Sequence, residues 1–357
     1  MRPLSLLRTL SSPLMTGDES RDPPSDADAD ADAETETETE TVVPCDDLDE
    51  ALAFLTGRLG FRLDAIFPAD SPRVASVSGH GLRLRLVCGP PFEASAALPP
   101  LRPSFVLTRA GEEASWVRGR AGMRYRDLVP DRQGGRTIAS HIQLREGGPV
   151  ADYVHFHEVR YQVIFCRAGW VRVVYEDQGA PFVLRPGDCV LQPPRIRHRV
   201  LESSAGAEVI EVGSPASHET FVEHELELPN DRIDRARLWR GQRFVHHVAA
   251  EAPWRPWQAS GFEARDTGIA EATGGLADVR VLRAREPERI EPVPTSHDGE
   301  LLLVFVLEGE VILRRDAAGE DRLAKGDACV IPRGMVHAWS DTSTDLELLR
   351  VEARAGV

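Results

Sequence analysis

The sequence predicts a mainly β protein: two β-barrels fill the C-terminal two-thirds, behind a small α/β module and an acidic tail. Three observations carry this reading. From about residue 105, short apolar or alternating runs recur between Gly, Pro and Asp turns, and helical periodicity is nearly absent. After about residue 275 a second set of such runs looks like the first unit used again. Between residues 41 and 90, one helical repeat of leucines is flanked by strand-like runs.

The tail comes first. Asp26 to Glu40 reads DADADADAETETETE, acids and small residues with no large apolar side chain. Such a run buries too little surface to offset its ordering entropy, so residues 1–40 are expected to be disordered, a solvated linker more than an interaction tail. The run supplies part of a formal net charge of −15 over 357 residues. That acidic balance, without a basic stripe, argues against nucleic acid as a partner. No apolar run reaches the length of a membrane span. The first residues, MRPLSLLRTLSSPLM, are basic and free of acids, and read as a weak targeting peptide or as residues upstream of a start at Met15. The expected location is cytoplasmic. Cys45, Cys88, Cys166, Cys189 and Cys329 are scattered and form no CxxC pair, which disfavours a zinc knuckle and suits reduced core thiols.

The α/β module spans residues 41–90. Asp47 and Glu50 have capping-box spacing, Leu48, Leu52, Leu55 and Leu59 follow at helical intervals, and Gly60 supplies a stop. Phe61–Phe67, Val74–Val77 and Leu82–Val87 read as strands. The stretch VVPCDDLDEALAFLTGRLGFRLD with the following GHGLRLRL resembles one βαβββ half-module of the glyoxalase/bleomycin-resistance (vicinal oxygen chelate) family, over roughly residues 40–88. That family builds a metal site from two such halves. Here the early strand lacks the ligand His and no second half follows, so a docking or dimerising role is expected. Pro90, Pro91, Pro99, Pro100 and Pro103 then mark a linker over residues 91–117.

The first barrel is placed at residues 118–245. Its strands are Thr137–Leu144, Gln162–Cys166, Trp170–Tyr175, Phe182–Leu184, Cys189–Gln192 and Glu208–Val212. The second, at residues 246–357, takes Val279–Leu282, Leu301–Leu307, Glu310–Leu313, Ala328–Ile331 and Glu347–Val351. Residues 215–260, with Trp239, Trp254 and Trp257, read as a connector wrapping around the barrels.

The chemistry concentrates in the first barrel, in GPVADYVHFHEVRYQVIFCRAG and GDCVLQPPRIRH. His155 and His157 are two apart, so on a strand both imidazoles face one interior. His198 lies just past the turn marked by Pro193 and Pro194, on a strand that a barrel can bring beside the first pair. Three neutral imidazoles would form one face of an octahedron. They suit Fe(II), Mn, Ni, Cu and Zn alike.

These two segments resemble the cupin superfamily, whose barrels are jelly rolls. Its first motif runs Gly, five residues, His-x-His, three or four residues, Glu, six residues, Gly. His155, His157 and Gly169 fit it, and Gln162 stands where the Glu falls. Its second motif runs Gly, five residues, Pro-x-Gly, two residues, His. Gly187, Pro193 and His198 fit, with Arg195 replacing the inner Gly. The resemblance implies a metal on His155, His157 and His198, with Gln162 as a fourth, neutral ligand through its carbonyl oxygen. In the second barrel Gly309, Gly326, Pro332, Gly334 and His337 match. His297 fits the second His, but Thr295 and Leu302 stand at the other ligand positions, with Asp298 or Glu300 as possible helpers. That barrel is expected to be structural or ligand-binding.

The resemblance further implies a bicupin metalloenzyme. A non-haem Fe(II) dioxygenase-type oxidoreductase acting on a small oxygen-chelating substrate is the expected activity. The alternatives are a non-catalytic small-molecule-binding or regulatory protein, and an isomerase or epimerase. Tyr153, His141, Arg160, Arg195 and Arg197 are the candidate substrate contacts, the arginines suiting a carboxylate or enolate. His80, His218 and His224 read as surface or loop residues. Barrels of this type pair through edge strands, which makes a homodimer the default.

Overall fold

The computed structural model describes residues 40–68, 71–89, 98–111, 115–119, 123–285, 290–315 and 319–355. Apart from Glu40, the acidic tail and the residues around Met15 lie outside them. No described helix is long and apolar enough to cross a membrane.

The N-terminal module has the expected βαβββ order: β1 (Thr41–Cys45), α1 (Leu48–Gly57), β2 (Arg62–Phe67), β3 (Val74–Gly79) and β4 (Leu82–Cys88). The Asp47 carboxylate caps α1 by accepting from the Glu50 amide at 2.9 Å, which satisfies one of the orphan donors of the first turn. Leu48, Leu52 and Leu55 pack on Ile66, Ala75 and Leu86. Leu59 falls beyond the helix end and is exposed.

The sheet order is β1-β4-β3-β2, with β1 parallel to β4. That pairing sets Cys45 opposite Cys88, and the two form a disulfide with a Cα–Cα distance of 4.9 Å. The expectation of reduced core thiols is corrected here for Cys45 and Cys88. The partners are 43 residues apart in sequence, and only the parallel ladder makes them neighbours. Cys166, Cys189 and Cys329 are buried free thiols.

Two jelly-roll barrels follow, stacked through their broad sheets. In the first, strands Cys189–Gln192, Tyr161–Ala168, Ala207–Ser214, Ile138–Leu144 and Arg124–Asp127 lie side by side. In the second, Phe262–Asp266, Ala277–Ala284, Glu347–Ala353, Leu301–Glu308 and Ala328–Val330 do the same. The largest apolar cluster lies between these sheets, where Tyr161, Val163, Phe165, Ile210 and Val212 meet Val279, Val281, Leu303, Phe305 and Val351. Alternate residues fill the barrel interiors, Val209 and Cys166 in one, Leu302, Val304 and Val306 in the other. A strand buried on both faces needs apolar residues at every position, hence the unbroken run LLLVFVL at Leu301–Leu307.

The barrels exchange edge strands. Val106–Thr108, from the stretch read as linker, pairs with Ala328–Val330 of the second barrel. Val245–His247, from the connector, pairs with Cys189–Gln192 of the first. The two joints are built alike. The Asp188 carboxylate accepts from the Ala249 amide at 2.8 Å, and the Asp327 carboxylate accepts from the Ala110 amide at 2.9 Å. Gly187 and Gly326 have φ of 91° and 89°, and a Cβ on either would lie 2.9 Å from the Cβ of Ala249 or Ala110. The repeat seen in the sequence is thus repeated in its packing.

The N-terminal module continues the first barrel's second sheet. β2 pairs with Thr220–Val222, which pairs with His155–His157, which pairs with His198–Ser203. One hydrogen-bonded ladder therefore runs from the disulfide-bearing module to the strand that holds two histidines.

Candidate metal centre

His155 and His157 flank Phe156 on their strand, and the pleat sends the two imidazoles into the barrel while Phe156 stacks outside on Phe221 at 5.2 Å. His198 opens the neighbouring strand directly opposite His155. The ring centroids of His155 and His198 are 4.2 Å apart, and each lies about 5 Å from that of His157 (5.1 and 5.2 Å). Nitrogens of the three rings come within 4.8 Å of one another, and all three residues are buried.

Each ring is held from behind. His155 Nδ1 lies 2.8 Å from the Tyr153 carbonyl and 3.6 Å from the Asp152 carboxylate. His198 Nδ1 lies 3.0 Å from the Ile196 carbonyl. A carbonyl oxygen can only accept, so in both rings Nδ1 carries the proton and Nε2 is the nitrogen able to coordinate. His157 Nδ1 sits 3.2 Å from the Thr220 hydroxyl, on the strand that joins the barrel to the N-terminal module.

The cavity in front of the histidines is about 90 Å³. Its walls are mostly apolar, with Ile142, Leu144, Val171, Val173, Leu184 and Val200. Five polar side chains join the histidines there: Gln162, Glu211, Gln192, Tyr175 and Tyr125. The Gln162 amide donates to Glu211 at 2.7 Å, which leaves its Oε1 buried without a hydrogen-bond partner. Gln192 donates to the Tyr175 hydroxyl at 2.8 Å, and burial pushes the Tyr175 pKa upward, keeping that hydroxyl protonated. The Tyr175 ring stacks on His198 at 5.6 Å.

The donor set fits a divalent metal ion: three imidazoles, two with their tautomers fixed by main-chain carbonyls, and an amide oxygen that lacks a partner. The structure thus brings together His155, His157, His198 and Gln162.

The other candidate contacts are not brought to this cavity. His141 is on the opposite face of its strand from Ile142 and Leu144, packed between the barrels against Phe305. Arg160 reaches Glu300 at the joint between the barrels. Arg195 and Arg197 point outward over Phe156, paired with Glu158 and Glu223 at 3.3 and 2.9 Å. Arg195 sits in the turn before the His198 strand with φ of 66°, and Arg197 is held outside by Glu223. The Tyr153 ring lies 5.8 Å from that of His155, to which it lends its carbonyl.

Asp152, Glu211, Tyr175, Gln192 and Thr220 escaped the sequence reading. Glu211 and Gln192 had a signal, since both sit at inward positions of strands whose alternation is legible. His218, read as a loop residue, is buried with its ring 5.3 Å from His157.

In the second barrel His297 and His337 line a cavity of about 420 Å³. Thr295 stands at the third ligand position there, and Glu300 is drawn away to Arg136 and Arg160.

Residues 284–352 match the family model of the cupin domain. The second barrel is a cupin domain. The first barrel repeats this frame and carries three clustered histidines where the second has two. Among solved structures, the protein YlbA from E. coli superposes with a TM-score of 0.50 at 12% identity, over 73% of this chain and 96% of that one. Oxalate decarboxylase from Bacillus subtilis, described for its Mn(II) centres, gives 0.49 at 12% identity, over 74% of this chain and 79% of its own. At such identity the likeness to YlbA speaks for the fold alone. No curated protein matches the chain in sequence.

Proposed function

We propose that the first barrel is the divalent-metal centre of a dioxygenase-type oxidoreductase acting on a small oxygen-chelating organic substrate. The observation that carries the reading is the convergence of three buried imidazoles, two with Nδ1 tied to main-chain carbonyls. His155, His157 and His198 would hold the ion, and the Gln162 carbonyl would be the fourth ligand. Fe(II) is the preferred ion, with Mn, Ni, Cu or Zn as alternatives. Bound there, it supplies Lewis acidity and a template for vicinal oxygens, and as iron a one-electron route to dioxygen.

The remaining roles fall to the protein. A cavity of about 90 Å³ admits only a small substrate, and its aliphatic walls exclude water from the reacting groups. Among the described residues no arginine lines it, so a substrate carboxylate would find no ion-pair partner there. A neutral or singly ionised chelator, such as an enediol, fits better. Glu211 is the carboxylate lining the cavity, and it is placed to accept the proton that a substrate hydroxyl gives up on chelation. The Tyr175 hydroxyl and the Gln192 amide orient one another and can hydrogen-bond the substrate's distal oxygen.

The test is elemental analysis of protein purified without chelators, beside a His155→Ala/His198→Ala double variant, followed by oxygen uptake with enediols, catechols and thiols. About one iron per chain, lost in the variant, with substrate-dependent oxygen consumption, is the expected result. Metal without oxygen uptake would favour an isomerase or a binding protein. Absence of metal even after anaerobic Fe(II) loading would end the metalloenzyme reading.

A further inference from the structure

The second barrel holds a cavity of about 420 Å³, against about 90 Å³ for the cavity in front of His155, His157 and His198. That size lies within the ~300–1,000 Å³ typical of small-molecule sites. Its walls combine aliphatic residues with the indoles of Trp257 and Trp339.

The two histidines facing this space each present an acceptor nitrogen. His297 Nε2 lies 2.8 Å from the Ile331 carbonyl, so it carries the ring proton. His297 Nδ1 is then a bare lone pair, and it is buried without a hydrogen-bond partner. In His337 the roles are reversed: Nδ1 faces the Met335 carbonyl at 3.2 Å, so Nε2 is the acceptor. Burial lowers the His337 pKa and keeps that nitrogen unprotonated. A buried acceptor left unmatched costs roughly 1–3 kcal/mol, which a donor on a ligand would recover.

A metal is a poor occupant, because Thr295 and Leu302 stand where two further ligands would be needed. An anion is a poor occupant too. Arg350 reaches the cavity, but its guanidinium is already paired with Glu352 and lies 4.0 Å from Asp278.

We infer that the second barrel is a metal-free binding site for a neutral, flat, hydroxylated organic molecule of one or two rings, its ring against Trp257 and Trp339 and its hydroxyl donating to His297 Nδ1. The site is independent of the chemistry proposed for the first barrel.

The experiment is calorimetric titration of the full chain with 2-naphthol and with 2-methoxynaphthalene, which keeps the ring and lacks the donor. Both are repeated on His297→Leu, on the cavity-filling Leu302→Trp and on the His155→Ala/His198→Ala variant, with circular dichroism to confirm folding. The expected result is one site for 2-naphthol, at least tenfold tighter than for the ether. The preference should vanish in His297→Leu, binding should be lost in Leu302→Trp, and both should persist in the double-histidine variant. Equal affinity for the two compounds would overturn the role of His297. Naphthol binding that survives in folded Leu302→Trp, or disappears in the double-histidine variant, would place the ligand elsewhere. If Leu302→Trp fails to fold, Trp257→Ala replaces it, with a tenfold weakening expected and unchanged affinity overturning the proposal. A second transition-metal ion per chain that is lost in His297→Leu would also overturn it.

Discussion

The side-chain amide of Gln162 donates to the carboxylate of Glu211 across 2.7 Å, from one inward-facing strand position to another. A carboxylate only accepts, so this contact fixes which way the amide is turned and leaves its oxygen, which has no other partner, available to a metal. The acid that the family motif places at position 162 stands instead on the next strand, one step behind the ligand. Glu211→Gln would let the two amides pair either way round and release that orientation. We expect metal affinity, measured by chelator competition, to fall roughly 10-fold or more, as with other partners that position a ligand. The exchange Gln162→Glu/Glu211→Gln should recover most of it. Unchanged affinity in Glu211→Gln would remove Gln162 from the ligand set.

The reach of the sequence follows from which features are local. Alternation fixed which side of a strand each residue takes, so His155, His157 and His198 were legible once two strands were assumed adjacent. Arg195 and Arg197 lie in the turn before the His198 strand, where alternation says nothing, and they are held outside by Phe156, Glu158 and Glu223. Pairings between distant segments were not legible. Nothing near Val106 announces that it completes the second barrel, and nothing near Cys45 announces Cys88, because both depend on which strand lies next to which. Glu211 was missed for a related reason. Motif spacing looks for a carboxylate along one strand, whereas the cavity can receive it from the neighbour.

Glu300 holds Arg136 and Arg160 together at the joint between the barrels, with Nε and Nη2 of Arg136 at 3.0 and 2.8 Å from one carboxylate oxygen. Its side chain is only 4% exposed. Removing the charge strands two guanidiniums with partial access to water. Glu300→Gln should therefore cost about 3 kcal/mol of unfolding free energy by urea titration. Metal content should be unaltered, since none of the three lines the first cavity. A loss of metal in a folded Glu300→Gln protein would restore Arg160 to the site.

A further contact between the barrels is built around His141, and it sets a dependence on pH. Arg126 Nη2 lies 3.3 Å from His141 Nδ1 and 2.6 Å from the Gly326 carbonyl of the second barrel. An arginine only donates, so Nδ1 accepts and His141 Nε2 donates its proton to Glu208 at 2.9 Å. Burial lowers the His141 pKa, outweighing Glu208, which would raise it. For Glu208, burial pushes upward but is outweighed by the bond from His141, the charge of Arg167 and the amide of Gln143, which bring its pKa down to about 2. Both shifts act in the same direction. Below the ordinary histidine pKa of 6.5 the unfolded chain takes up a proton that folded His141 refuses. Below 4.5 it takes up another that folded Glu208 refuses until about pH 2. The stability due to this pair is complete above pH 6.5 and drains as the solution is acidified. Urea unfolding from pH 8 to 3 should show the decline beginning near 6.5. His141→Gln should flatten the upper part, and Glu208→Gln the part below 4.5, by an amount on the order of 2 kcal/mol at most given partial exposure. A wild-type profile that stays flat from pH 7 to 5 and coincides with that of His141→Gln would show that the folded imidazole takes up its proton over the same range as in the unfolded chain, and the neutral donor assigned to it here would be wrong.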